Sequence, residues 1–326
     1  MAQEPIQRVQ DRYEAFCRSA EFVLRPKFPK EMLVEVANIC NHACVFCAYR
    51  LMTRPKGVMD LGFYKRVLGE AYRLGAREAG LYAGAEPFAV KKLELYVEAA
   101  KDIGFDYVYV TTNGSMATPG RVRRVIDAGL DSIKFSINGG DRETYKAIHG
   151  KDDFDKALHI LRTVHEYRKT LGRPLRLYVS FVENDINHAS FAHLRELVGP
   201  LVDDIFHVKA ANVSGQNPDL PTLAFEGYCP QPFQRVTISQ EGFLRMCCND
   251  YQNMLAVEDL NMMPLEEAWL GERMVEMRRR HLEDNLNGTL CYNCLTGKNV
   301  RVQPINPTLS NHGMISTLPI VDDSGV

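Results

Sequence analysis

The sequence predicts an α/β chain in which six strand–helix units, (β/α)6, form an open parallel barrel and a smaller hairpin-and-helix unit follows. Three observations carry this. Short apolar runs alternate with amphipathic stretches of helical period from Met32 to Ala210, the pattern of a parallel sheet covered by helices. After Ala210 the alternation stops, and turn-rich sequence leads to cysteines spaced C-x17-C and then C-x2-C. At 326 residues and 45% hydrophobic, the chain can bury one large core or two smaller ones.

Residues 1–30 read as an N-terminal helical lead, with a helix from about Ile6 to Val23 ended by Pro26 and Pro29. Cys17 on that helix reads as a small buried apolar residue. Residues 31–211 form the barrel, with strands at Met32–Ile39, Ala79–Ala83, Tyr107–Thr112, Ser132–Ile137, Leu175–Val182 and Ile205–Ala210. Between them, helices are expected over Asp60–Gly75, Val90–Ile103, Pro119–Ala128, Phe154–Leu171 and His188–Leu197. The first of these places Leu61, Tyr64, Val67, Leu68, Ala71 and Leu74 on one face. Residues 212–300 form the second unit. It starts with a linker or loop over Asn212–Phe225 and continues with a hairpin of Gln234–Ser239 and Phe243–Cys248 around Gly242. A helix follows over about Pro264–Leu282, and 301–326 reads as a tail.

Net charge is −2, so no broad nucleic-acid footprint is expected. The run Arg278–His281 reads as a solvated helix face. No apolar run approaches the roughly 20 residues of a membrane span, and the N-terminus lacks a signal pattern. A cytoplasmic location is expected, with the nine cysteines as thiols or metal ligands rather than disulfides.

Cys40, Cys44 and Cys47 lie in CNHACVFC, directly after the first strand, where barrel chemistry concentrates. Three thiolates from one loop suit a four-iron cluster with one open iron; a zinc loop or redox thiols are the alternatives. C-x3-C-x2-C with Phe46 before its last cysteine resembles the signature of radical S-adenosylmethionine (SAM) enzymes. The resemblance implies a partial TIM-like barrel and a [4Fe–4S] cluster on these cysteines. SAM would be chelated at the open iron and reductively cleaved to a radical that abstracts hydrogen from a substrate.

Other strand ends fit the resemblance. Gly84-Ala85-Glu86-Pro87 resembles the family's G-G-E-P, which holds the SAM amino group, with Ala85 replacing the second glycine. Thr112, Asn113, Ser136, Asn138 and Ser180 match positions that contact SAM, and Phe46 would lie against the adenine. Read without the resemblance, Glu86 is a helix N-terminal acid and the Asn-Gly pairs are turn chemistry.

Cys229, Cys247, Cys291 and Cys294 close a zinc site or an iron–sulfur cluster equally well. Their hairpin, helix and C-x2-C arrangement resembles the twitch half of the SPASM extension, which implies one auxiliary [4Fe–4S] cluster on these four. Cys248 follows a ligand on a strand, so it is expected to face the opposite side and to serve as a hydrogen donor or as a structural thiol.

The favoured function is hydrogen abstraction from a sugar, aminocyclitol or aminoglycoside, ending in epimerisation with Cys248 as donor. The short lead, with no room for a leader-binding domain, and similarity to small twitch enzymes carry that preference. Alternatives are a twitch-type dehydrogenase oxidising an alcohol, a peptide-modifying enzyme, and a non-enzymatic zinc protein. The resemblance also implies a low-potential electron donor, flavodoxin or ferredoxin. His207, Lys209, Asn212, Arg245, Asn249 and Asp250 are further positions near a substrate.

Overall fold

The structure, a computed structural model, describes residues 8–212, 220–222 and 227–310. Most of the expected linker and the tail after residue 310 lie outside the described residues. The barrel half runs α1 (Val9–Arg18), β1 (Glu31–Val34), α2 (Leu61–Leu74), β2 (Glu78–Gly80), α3 (Glu94–Ile103), β3 (Tyr107–Thr112), α4 (Pro119–Asp127) and β4 (Ser132–Ser136). It continues through α5 (Arg142–His149), α6 (Phe154–Arg168), β5 (Arg176–Glu183), α7 (Phe191–Val198) and β6 (Asp204–Lys209). The C-terminal half holds α8 (Gln231–Gln234), β7 (Arg235–Ile238), β8 (Phe243–Arg245), β9 (Ala256–Asp259), α9 (Leu265–Leu270), α10 (Glu272–Leu282) and α11 (Leu290–Thr296).

The nine strands among the described residues form one sheet, ordered β6-β5-β4-β3-β2-β1-β7-β8-β9. The six barrel strands pair in parallel, as the alternation requires. β7 pairs in parallel with β1, from Glu31↔Arg235 to Val34↔Ile238, and β8 and β9 follow antiparallel. The hairpin unit therefore extends the barrel sheet.

Strand β3 shows why the barrel has a polar lumen. In Tyr-Val-Tyr-Val-Thr-Thr the valines are buried and the alternate residues half-buried. Period-two alternation sends Val108 and Val110 to the outer core and Tyr107, Tyr109 and Thr111 inward. That outer core receives the apolar stripes of the helices: Val67, Leu68 and Ala71 of α2, Val97 and Ala100 of α3, Val122 and Val125 of α4. Asp60 caps α2 by accepting from Phe63 N at 2.8 Å, and Gly75 ends it at φ 117.

Several elements differ from the expectation. The first helix is shorter, and Cys17 on it is half-buried. Strand β1 ends at Val34 because Glu35 turns into a buried ion network. Helix α5 and strand β9 were not anticipated, nor was helix α11 with Cys291 and Cys294. Gly271 splits the expected 264–282 helix in two. The Arg278–His281 run is not a solvated face, since Arg278 and His281 are buried. Arg278 donates to the carbonyls of Pro232, Trp269 and Leu24 and lies 4.0 Å from the Trp269 ring centre. No helix among the described residues is long and apolar enough to cross a membrane.

Arg54 joins the two halves. Its Nη2 donates to Glu35 at 2.9 Å, its Nη1 to Glu241 at 2.7 Å and its Nε to the Tyr251 carbonyl at 2.9 Å. Arg245 lies 3.5 Å from the same Glu35, and Arg54, Glu35 and Arg245 are all buried. Arg54→Met strands the Glu35 carboxylate away from its main partner. It is expected to cost about 3–5 kcal/mol in urea unfolding of the anaerobic protein.

Candidate active site

The first cysteine loop rests on the end of α5. Ala43 N donates to His149 O at 3.1 Å and Val45 N to Ile148 O at 2.9 Å. Gly150 follows at φ 68, and a Cβ there would come within 3.2 Å of Ala43 O. Cys47 N closes a turn onto Cys44 O at 3.0 Å, and Cys40 N donates to the Tyr49 hydroxyl at 2.7 Å. From the C-terminal half, the Tyr251 hydroxyl reaches within 3.4 Å of Cys47 Sγ. Its ring is the reason for glycine at position 84, where a Cβ would lie 2.7 Å from Tyr251 Cε1.

The strand ends gather around this loop. Glu86 N donates to Ile39 O at 3.0 Å, tying the Gly84–Pro87 turn to the loop's entry. The buried Glu86 carboxylate accepts from Thr112 Oγ1 at 2.6 Å, Asn113 N at 2.7 Å and Phe88 N at 3.0 Å. Burial nevertheless raises its pKa above the ordinary value. The Glu86 and Thr112 side chains thus brace the end of β3. Asn138 is bonded internally as well. It is buried, its Oδ1 accepts from Val182 N at 2.7 Å, and it joins the ends of β4 and β5.

Asn113 is placed differently, with Nδ2 3.0 Å from Asn41 Oδ1 and 3.9 Å from Cys40 Sγ. Phe46, Ala85 and Ser136 are half-buried, and Ser180 Oγ donates to Ser136 Oγ at 3.4 Å. Ala85 is not among the non-glycine residues with positive φ, so its methyl group meets no backbone strain.

A buried chain of side chains runs behind the loop, and the sequence reading missed it. The Asn138 backbone N–H donates to His149 Nε2 at 3.2 Å, which places the His149 proton on Nδ1. That N–H points to His42 Nδ1 at 3.2 Å and Cys44 Sγ at 3.4 Å. His42 Nε2 then donates to Asp153 Oδ2 at 3.2 Å. Burial pulls His149 down to about 3 and also lowers His42, so both rings are neutral near pH 7.

The second cysteine set is brought together. Cys229, Cys247, Cys291 and Cys294 line one small cavity of about 30 Å³, with His281 beside them. Burial pushes Cys40 and Cys229 up to about 12 and raises Cys44 and Cys291 further, so metal binding must displace protons. Among the described residues, the trio of His, Cys, Asp or Glu with ligand atoms all within 4.8 Å is His42, Cys44 and His149, already knit by its own hydrogen bonds. Neither cysteine set is gathered that tightly.

Cys248 does not line that cavity. Its charge is felt by Tyr82, Lys134 and Arg235, which line a separate cavity of about 420 Å³ inside the barrel. The other positions named near a substrate divide. Asp250 is a buried turn organiser accepting from Gln252, Met254 and Leu255 N. Arg245 is buried on the Asp250 carbonyl, and His207 stacks on Phe191 and pairs with Glu183. A single lysine in β4, and a histidine 107 positions from its partner, carry no local signal for the sequence reader.

Burial raises the Asp153 carboxyl, but hydrogen bonds from Lys156 and His42 and the charge of Lys151 outweigh it and hold it at about 2. A carboxyl depressed on folding stabilises above its unfolded value, near 4, and loses that contribution as pH falls towards 2. Asp153→Asn is expected to cost about 1–2 kcal/mol at pH 7, the lysines being solvent-screened. Denaturant midpoints of the mutant should also vary less than wild type between about pH 4 and pH 2.

Comparison with known proteins gives this geometry a family. Residues 34–191 match the family model of the radical SAM superfamily, and residues 229–295 match that of the SPASM iron–sulfur cluster-binding domain. A probable GTP 3′,8-cyclase of Sulfurisphaera tokodaii is 26% identical over 175 residues, 52% of this chain and 54% of that protein. The PqqA peptide cyclase of Rhizobium meliloti is 32% identical over 123 residues, 37% and 32% of the two chains. The chain thus spans about half or less of these curated relatives. Among solved structures, BtrN in complex with AdoMet and 2-DOIA is 18% identical, with TM-score 0.58 over 86% of this chain and 98% of that one. Streptococcus suis SuiB bound to its precursor peptide SuiA is 14% identical, with TM-score 0.62 over 77% and 67%. Two family models in the right order, on a partial parallel barrel whose first strand leads into C-x3-C-x2-C, settle the assignment: the chain belongs to the radical SAM superfamily and carries a C-terminal iron–sulfur extension of the SPASM/twitch subgroup.

Proposed function

We propose that this enzyme removes a hydrogen atom from one carbon of a small polar substrate of sugar or aminocyclitol type. We further propose that Cys248 returns a hydrogen atom to the opposite face, giving the epimer, and that one electron from the low-potential donor and one proton restore the resulting thiyl radical to the thiol. When bound, the first [4Fe–4S] cluster and SAM supply the hydrogen-abstracting chemistry. In this reading Cys40, Cys44 and Cys47 hold that cluster, and Cys229, Cys247, Cys291 and Cys294 hold the auxiliary one. Phe46, the 84–87 turn, Asn113, Ser136 and Ser180 surround SAM, while Glu86, Thr112 and Asn138 fix the backbone that meets it. A flavodoxin or ferredoxin is the expected reductant.

The observation that supports the donor role is that Cys248, unlike its neighbour Cys247, stands outside the four-cysteine cavity. Cys247 lines the four-cysteine cavity, and Cys248 sits beside groups of the barrel cavity. A thiol on that side is available to a substrate radical without leaving the protein.

His149 acts on the first cluster through Cys44. An N–H aimed at a ligand sulfur favours the more reduced, more negative cluster. His149→Phe keeps a ring but removes the donor. It is expected to move the cluster midpoint to more negative potential in an electron paramagnetic resonance titration.

The donor assignment is tested by incubating reduced enzyme, SAM and candidate sugars in deuterated buffer. Epimerisation places one deuterium at the inverted carbon. Cys248→Ala is expected to stop inversion while 5′-deoxyadenosine still forms. A carbonyl product made equally well by Cys248→Ala would instead identify a dehydrogenase.

A further inference from the structure

We propose that the barrel cavity holds the anionic group of its substrate, a carboxylate or phosphate, against Lys134; this rests on the barrel lumen being the substrate site. The cavity, about 420 Å³, is of small-ligand size. Its floor is closed by α1, whose Arg12 lies 4.1 Å from the Tyr107 ring centre. Strand β4 points Ser132, Lys134 and Ser136 to the same face. Lys134 is thus about 7 Å below Ser136 and the strand-end rim. An anion held at that depth leaves the rest of a sugar-sized molecule directed at the rim.

The charges inside do not balance. The cavity is lined by four cations, Arg12, Lys30, Lys134 and Arg235, and two acids, Glu31 and Glu78. Arg12 pairs with Glu78, and Arg235 Nη2 reaches Glu31 Oε2 at 2.7 Å. Those pairs consume both acids. Lys30 is exposed, just before β1, and water solvates it. Lys134 is left inside, and among the described residues no carboxylate forms an ion pair with it. Its Nζ lies 5.5 Å from the centroid of the Phe206 ring. Burial, with Arg235 and Arg12 nearby, accordingly draws its pKa down to about 8.

A half-buried ammonium with no carboxylate bonded to it is costly unless something in the working complex pairs with it. An anionic substrate group does so with a charge-assisted hydrogen bond, whereas a polyamine would add like charge to a lumen already in cationic excess. The aminoglycoside preference drawn from the sequence narrows accordingly to acidic sugars or sugar phosphates.

The test uses the cluster-loaded holoenzyme under anaerobic conditions and needs no turnover. Inorganic phosphate and acetate, each against chloride at equal ionic strength, are titrated while the melting temperature is followed. The larger stabilisation identifies phosphate or carboxylate as the class. Lys134→Met is expected to weaken the preferred anion about tenfold or more and to melt above wild type without anion, while Lys134→Arg retains binding. No anion-specific stabilisation of wild type, or equal stabilisation of Lys134→Met, overturns the proposal. Because the readout is binding, loss of inversion in the deuterium assay with intact anion binding would reject only the epimerase reading.

Discussion

The two cysteine-bearing regions are held in one arrangement by a single buried guanidinium. Arg54 spends its planar fork on three segments at once: the end of β1, the β7–β8 turn and the Tyr251 backbone. A lysine has neither the number nor the divergence of donors to do this. Tyr251 in turn touches Cys47 and forces glycine at position 84. The position of the first cysteine loop, the 84–87 turn and the C-terminal half are therefore one geometric fact. The desolvation cost of burying Arg54 and Glu35 is offset by the hydrogen bonds that each makes within the protein.

Strand alternation does the rest of the organising. Small branched residues face the helices and make the core. Tyrosines, serines and charged residues face inward, so the lumen is polar by construction. Cys247 and Cys248 lie beyond the hairpin strand expected for them, in the turn that follows the end of β8 at Arg245. Cys247 lines the four-cysteine cavity and Cys248 does not.

What could be read from the sequence follows from the range of the interactions. The cysteine spacings, the strand order and the Glu86 and Asn113 turns are local patterns, and they were legible. Glu86 was legible as a position but not as a role, because its donors, Thr112 and Asn113, belong to another strand. Helix α5 was missed because eight residues between two strands carry a weak period, yet its last residue, His149, sits behind Cys44. Arg278 read as surface because three charges in a row look solvated. Only the fold shows the carbonyls of Pro232, Leu24 and Trp269 converging on it. Lys134 is one residue in a strand, and its unpaired state is a property of the whole lumen.

The parallel pairing of β1 with β7 also sets a timetable. Glu31 and Arg235 are bridged across 204 positions of chain. At ribosomal speeds the edge of β1 waits roughly 10–40 s for its partner. During that interval the nascent chain displays an unpaired strand edge beside a complete C-x3-C-x2-C loop, while Cys291 and Cys294 are still unmade. The order of emergence thus separates the two metal centres in time. Closure of the sheet by β7 therefore precedes completion of the four-cysteine site.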